Sequence, residues 1–134
     1  MDSSKSSSLL LVALLLLRGR CESSIFQKHK THVLIRNDMQ EQLDMTVRCK
    51  SKDDDLGVHV IPPGGSYGFN FRPNFFCTTL FWCNFEWPGA SRGYKVYDCQ
   101  RDYDRCFDCT WSIKSSSPCL YNAKTSQYDL CDNW

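Results

Sequence analysis

Eight cysteines, Cys49, Cys77, Cys83, Cys99, Cys106, Cys109, Cys119 and Cys131, carry the densest reactive chemistry in the chain, and a ninth, Cys21, stands apart near the N-terminus. A thiolate can bind a metal, attack a substrate or pair with another thiol. Cys106 and Cys109 form a lone C-x-x-C, and no second pair at metal-ligand spacing accompanies it. An even set of eight is suited to complete pairing as disulfides in an oxidising compartment. Asp53, Asp54 and Asp55 are adjacent carboxylates that could clamp calcium, yet they lack the alternating ligands and central glycine of an EF-hand loop. Lys50 and Lys52 offset their mutual repulsion, so a solvated turn with aspartates capping backbone amides is the expected role. The histidines are His29, His32 and His59, none of them in a motif that would orient it as an acid or base. No Gly-x-Ser-x-Gly elbow is present either. We expect no catalytic residue, no cofactor and no bound metal.

Cys21 follows the apolar run Leu9 to Leu17, which lies behind a polar stretch carrying Lys5. At ~1.5 Å rise per residue such a run covers well under half of a ~30 Å hydrocarbon core, too short to span a membrane. It reads as a secretory signal peptide over residues 1–23, with a single domain over 24–134. Cleavage there discards Cys21, so the secreted protein should carry no free thiol. It also removes three of the 16 basic residues (Lys5, Arg18, Arg20) and two of the 15 acidic ones (Asp2, Glu22), leaving 13 of each. Balanced charge argues against nucleic acid as a partner and offers no long-range attraction to anionic membranes. There is no Asn-x-Ser/Thr sequon and no retention tetrapeptide, so an unglycosylated extracellular protein is expected, without membrane insertion.

The elements that must position these groups are strands. Segments with period-two patterning recur at 32–36, 43–49, 57–61, 67–71, 79–87, 94–97 and 109–113, and Cys119-Leu120-Tyr121 adds a short last one. Pro62-Pro63-Gly64-Gly65 and Pro73-Asn74 interrupt them. Helical periodicity is absent beyond a turn near Asp102 to Arg105, and residues 24–31 read as a loose arm. Seven or eight short strands predict an all-β, two-sheet sandwich stapled by disulfides. Nine of the 21 residues from Tyr67 to Trp87 are aromatic. Alternation sends Tyr67, Phe69, Phe71, Phe81, Phe85 and Trp87 to the core, turns Trp82 the other way, and leaves Phe75-Phe76 in a loop as a contact site. His59 falls on the face opposite Val58 and Val60.

Asn37, Cys49-Lys50-Ser51-Lys52-Asp53-Asp54-Asp55-Leu56-Gly57, Thr78 to Trp87, Cys106-x-x-Cys109-x-Trp111-x-Ile113 and Cys119 occur in order over about 32–122. In this set the chain resembles the plant self-incompatibility S-protein homologue family of small secreted proteins. The resemblance implies a β-sandwich and a cell-surface receptor as partner. It also implies a role as a signalling ligand, as in the pistil members that trigger calcium influx and growth arrest in self pollen. A defence or toxin-like protein acting on membranes or microbes is the alternative. Relative to the usual family pattern, Cys77, Cys99 and Cys131 are additions and Pro118 replaces a glycine. Cys49 and Cys83, mid-strand on inward faces, bridge within the core or to the Cys106–Cys119 region. The added cysteines pair among themselves and with whichever family cysteine is left over. With the shared motifs acting as scaffold, partner choice falls to the loops Pro62–Ser66, Arg72–Cys77, Pro88–Gly93 and Ser115–Pro118.

Overall fold

The computed structural model describes residues 28–134. The apolar run and Cys21 lie outside the described residues. Alternating side chains build nine strands in this part of the chain: β1 Thr31–Asn37, β2 Met45–Lys50, β3 Asp55–Ile61, β4 Ser66–Phe71, β5 Leu80–Trp87, β6 Ala90–Asp98, β7 Asp108–Ile113, β8 Pro118–Asn122 and β9 Gln127–Cys131. One helical turn, α1 (Cys99–Asp102), follows β6, with the Asp98 side chain accepting from the Gln100 amide. Sequence patterning predicted seven or eight strands. The additional one, β9, is an edge strand whose residues are largely exposed, so it carries little apolar signal.

Two sheets face one another. One holds five strands in the order β4-β1-β7-β8-β9, and the other four in the order β3-β2-β5-β6. β1 and β7 run parallel, and every other neighbouring pair is antiparallel. The inward faces supply Val33, Ile35, Val47, Phe85, Trp111 and Leu120, all at most 1 % exposed. Of the six aromatics expected inside, Phe81, Phe85 and Trp87 are buried, while Tyr67, Phe69 and Phe71 pack against the core half-buried.

Two devices set the phase of the pattern. Between Phe81↔Tyr97 and Trp82↔Lys95 the β5–β6 register skips Val96, so Val96 and Tyr97 are buried in succession. Such a bulge locally breaks the two-residue period. The second is Asn37, fully buried at the end of β1. Its Nδ2 donates to the carbonyls of Leu43 and Ile61 (2.8 and 2.9 Å), and its Oδ1 accepts from the Met39 amide. One side chain thereby ties the β1–β2 connection to the end of β3, and removing it would leave those backbone groups without partners.

The eight described cysteines form four disulfides: Cys49–Cys83, Cys77–Cys99, Cys106–Cys109 and Cys119–Cys131. Cys49 and Cys83 face each other across β2 and β5 within the core. Cys119 and Cys131 staple β8 to the edge strand β9. Cys77 ties the β4–β5 loop to the start of α1, where the Gln100 side chain also donates to the Cys77 carbonyl. The N-terminal arm is packed where described: the Lys28 ammonium sits 4.4 Å from the Tyr103 ring centre, and His29 leans on Phe107.

Candidate functional site

Of the four loops expected to choose a partner, three lie at one end of the sandwich and one at the other. Pro62–Ser66 is held beside Asn37, whose backbone exchanges hydrogen bonds with Gly64 and Gly65. Ser115–Pro118 joins β7 to β8 at the same end, where Ser115 bonds Glu41. Pro88–Gly93 is a tight turn only at Pro88-Gly89, and its remaining residues belong to β6. Arg72–Cys77 lies at the opposite end, with the Ser51–Asp54 turn and α1. Among the described residues, the exposed apolar side chains gather mostly there and on the adjoining outer face of the four-stranded sheet.

The β4–β5 loop is built by Asn74. Its side chain accepts from the Thr78 amide and donates to the Thr78 hydroxyl, while its own amide donates to the Thr79 hydroxyl. This closed turn pushes Phe75 and Phe76 outward, with rings 5.1 Å apart, edge to face, and 56 % and 78 % exposed. Cys77, at φ +56°, then turns the chain back to its disulfide with Cys99. The aromatic tip is thus carried on a braced loop.

Next to it the outer face of the sheet presents three rows in register. Asp55, Lys50, Trp82 and Lys95 form one row, Val58, Arg48, Asn84 and Gly93 the second, and Val60, Thr46, Glu86 and Ser91 the third. Trp82 is 46 % exposed, and Val58 and Val60 are each 61 % exposed. The outward position of the two valines departs from a sandwich with its apolar faces turned in. The register pairs His59 with Val47 and Val58 with Arg48, and it shifts between Arg48 and Lys50 near Gly57 (φ +82°). His59 is therefore turned inward, where it stacks on Tyr67 at 3.9 Å and its Nε2 pairs with the Leu56 carbonyl. His32 and His29 occupy separate places, His32 against Gly68 and His29 against Phe107.

The aspartate run divides by role. Asp55 accepts two hydrogen bonds from Arg48 and one from the Gly57 amide, while the Ser51–Asp54 turn closes through the Ser51 hydroxyl and backbone. The Arg48 bond first, and then the Gly57 amide, hold Asp55 down at about 2. A depressed carboxylate contributes stability that is complete above its unfolded value near ~4 and is lost as pH falls through the folded one. Carboxyl NMR titration should therefore place Asp55 near 2, and Arg48→Gln should move the midpoint upward. An unchanged midpoint in the variant would refute the pairing. Elsewhere, burial pushes the Tyr94 phenol up to about 12, and its hydroxyl donates to Asp132. Among the described residues no three His, Cys, Asp or Glu side chains group as a metal site, and no helix is long and apolar enough to cross a membrane.

A family model described as plant self-incompatibility protein S1 matches residues 32–134. S-protein homolog 2 of Arabidopsis thaliana is 41 % identical over 117 residues, covering 84 % of this chain and 73 % of that protein. S-protein homolog 3 of the same plant is 39 % identical over 106 residues, covering 76 % and 71 %. S-protein homolog 29 is 38 % identical over 105 residues, covering 78 % of each.

Proposed function

Since the chain belongs to the plant self-incompatibility protein S1 family, we propose that it is a secreted, non-enzymatic ligand that binds a cell-surface receptor through the β4–β5 loop. In this reading residues 1–23 direct export and are removed, and residues 24–134 form the ligand. The observation that carries it is the Phe75-Phe76 tip, two adjacent exposed rings on a loop braced by Asn74 and the Cys77–Cys99 disulfide. Exposed aromatic clusters on a rigid support are the usual anchors of protein interfaces, because ordering them on binding costs little entropy.

The test is binding of the oxidised protein to plant plasma-membrane fractions, compared with a Phe75→Ser/Phe76→Ser variant. Loss of two anchors should weaken binding about 30-fold or more, and thermal melts of both proteins check that the variant keeps its fold. Equal binding by the variant would overturn the assignment. Leakage from anionic lipid vesicles that disappears in the variant would instead assign the loop to direct action on membranes.

A further inference from the structure

Trp82 sits mid-strand in β5, and its ring lies down across β6. A Cβ at Gly93 would overlap the benzo ring, so the absent side chain is what lets the indole rest on the β6 backbone. One ring face is thereby covered while the residue remains 46 % exposed. Its register partners are Lys50 on β2 and Lys95 on β6. With strands ~4.8 Å apart, both ammonium groups can reach a ligand lying on the ring. Neither lysine is in an ion pair among the described residues, whereas the neighbouring Arg48 is neutralised by Asp55.

Two cavities, of about 490 and 460 Å³, flank the ring and share Lys50 and Trp82 in their walls. The two meet at Lys50 and Trp82, while Lys95 stands outside both walls, beside the ring on β6. In the first stand Lys52, Arg72 and the opposing Asp53 and Asp54. In the second stand Thr46, Asn84 and Glu86, the last held by Asn84.

From this arrangement we propose that the outer face of the four-stranded sheet binds a linear oligosaccharide of the uronate class. The negative face of an indole attracts C–H groups and repels carboxylates. A pyranose meets it with its C–H face and keeps its charge at the ring edge, where Lys50 and Lys95 wait. Hydroxyls in the sugar plane reach Thr46 and Asn84. An acidic peptide without rings, such as polyglutamate, would use the lysines but not the flat ring. Open space adjoins Trp82 in both cavities, which suits a chain rather than a single small molecule.

The experiment is calorimetric titration of the full, oxidised protein with an oligogalacturonide of defined length. Its methyl ester and a polyglutamate of matched charge serve as comparisons. The free acid should bind, more weakly as salt is raised, and the ester and polyglutamate should bind far less. Trp82→Ala should weaken binding on the order of tenfold or more, as for loss of one stacking contact. Lys50→Gln/Lys95→Gln, which leaves the ring and Gly93 packing in place, should do the same through lost charge-assisted bonds. Phe76→Ser, in the proposed receptor loop, should leave it unchanged. No binding of the acid, equal binding of polyglutamate, or full binding by the lysine double variant would each overturn the proposal.

Discussion

Trp111→Ala should destabilise the domain by about 3–5 kcal/mol, the cost of emptying a large aromatic site in a closed core. Trp111 lies on β7, 1 % exposed, edge-on to Tyr94 at 5.2 Å. Its Nε1–H donates to the Val96 carbonyl at 2.8 Å, crossing from one sheet to the other. That carbonyl belongs to the residue skipped by the β5–β6 register, so the indole partners a group at the bulge. Trp111→Phe separates the two contributions: it fills most of the space and leaves the carbonyl unsatisfied, costing about 1–3 kcal/mol. Denaturant midpoints of the two variants measure both. Equal losses would show that the hydrogen bond, not the volume, dominates. A loss under about 1 kcal/mol in the alanine variant would contradict a close-packed inter-sheet core.

The second large effect is removal of the Cys49–Cys83 bridge. Cys49→Ala/Cys83→Ala should lose about 2–5 kcal/mol, because the bridge closes a long segment (sequence separation 34) and both sulfurs fill fully buried space. The Cys106–Cys109 bridge spans a separation of only 3. In the loop-closure account it restricts the unfolded chain far less, and Cys106→Ser/Cys109→Ser should cost clearly less. Thermal melts of the two double variants, with the remaining bridges intact, compare them directly. If the short-range pair proved the costlier, local packing of the buried Cys109 beside β1 would outweigh unfolded-state entropy.

Much of the sandwich was legible because burial on one face writes itself as alternation. Val33 and Ile35, Met45 and Val47, and Phe81 and Phe85 all occupy the faces that their spacing assigns. The pattern failed in β6 and β3. Val96-Tyr97 breaks alternation because one residue is skipped, and β3 carries Val58 and Val60 outward because they pair with the outward Arg48 and Thr46 while His59 pairs with the inward Val47. β9 escaped notice because an exposed edge strand needs few apolar residues. Trp82 was legible as outward-facing, and Phe75-Phe76 as lying in a loop. Neither the closing of the Asn74 turn beneath the two rings nor the resting of the indole on Gly93 could be read from local sequence.

Residue types and their alternation determined by themselves an all-β, disulfide-rich domain and its family, since these depend on local period, cysteine parity and ordered motifs. Tertiary structure alone decided which cysteines pair, which loops share an end, and that Lys50, Trp82 and Lys95 form one row. Those facts depend on register between strands far apart in the chain. A one-residue shift there exchanges inside for outside, and no local pattern specifies it.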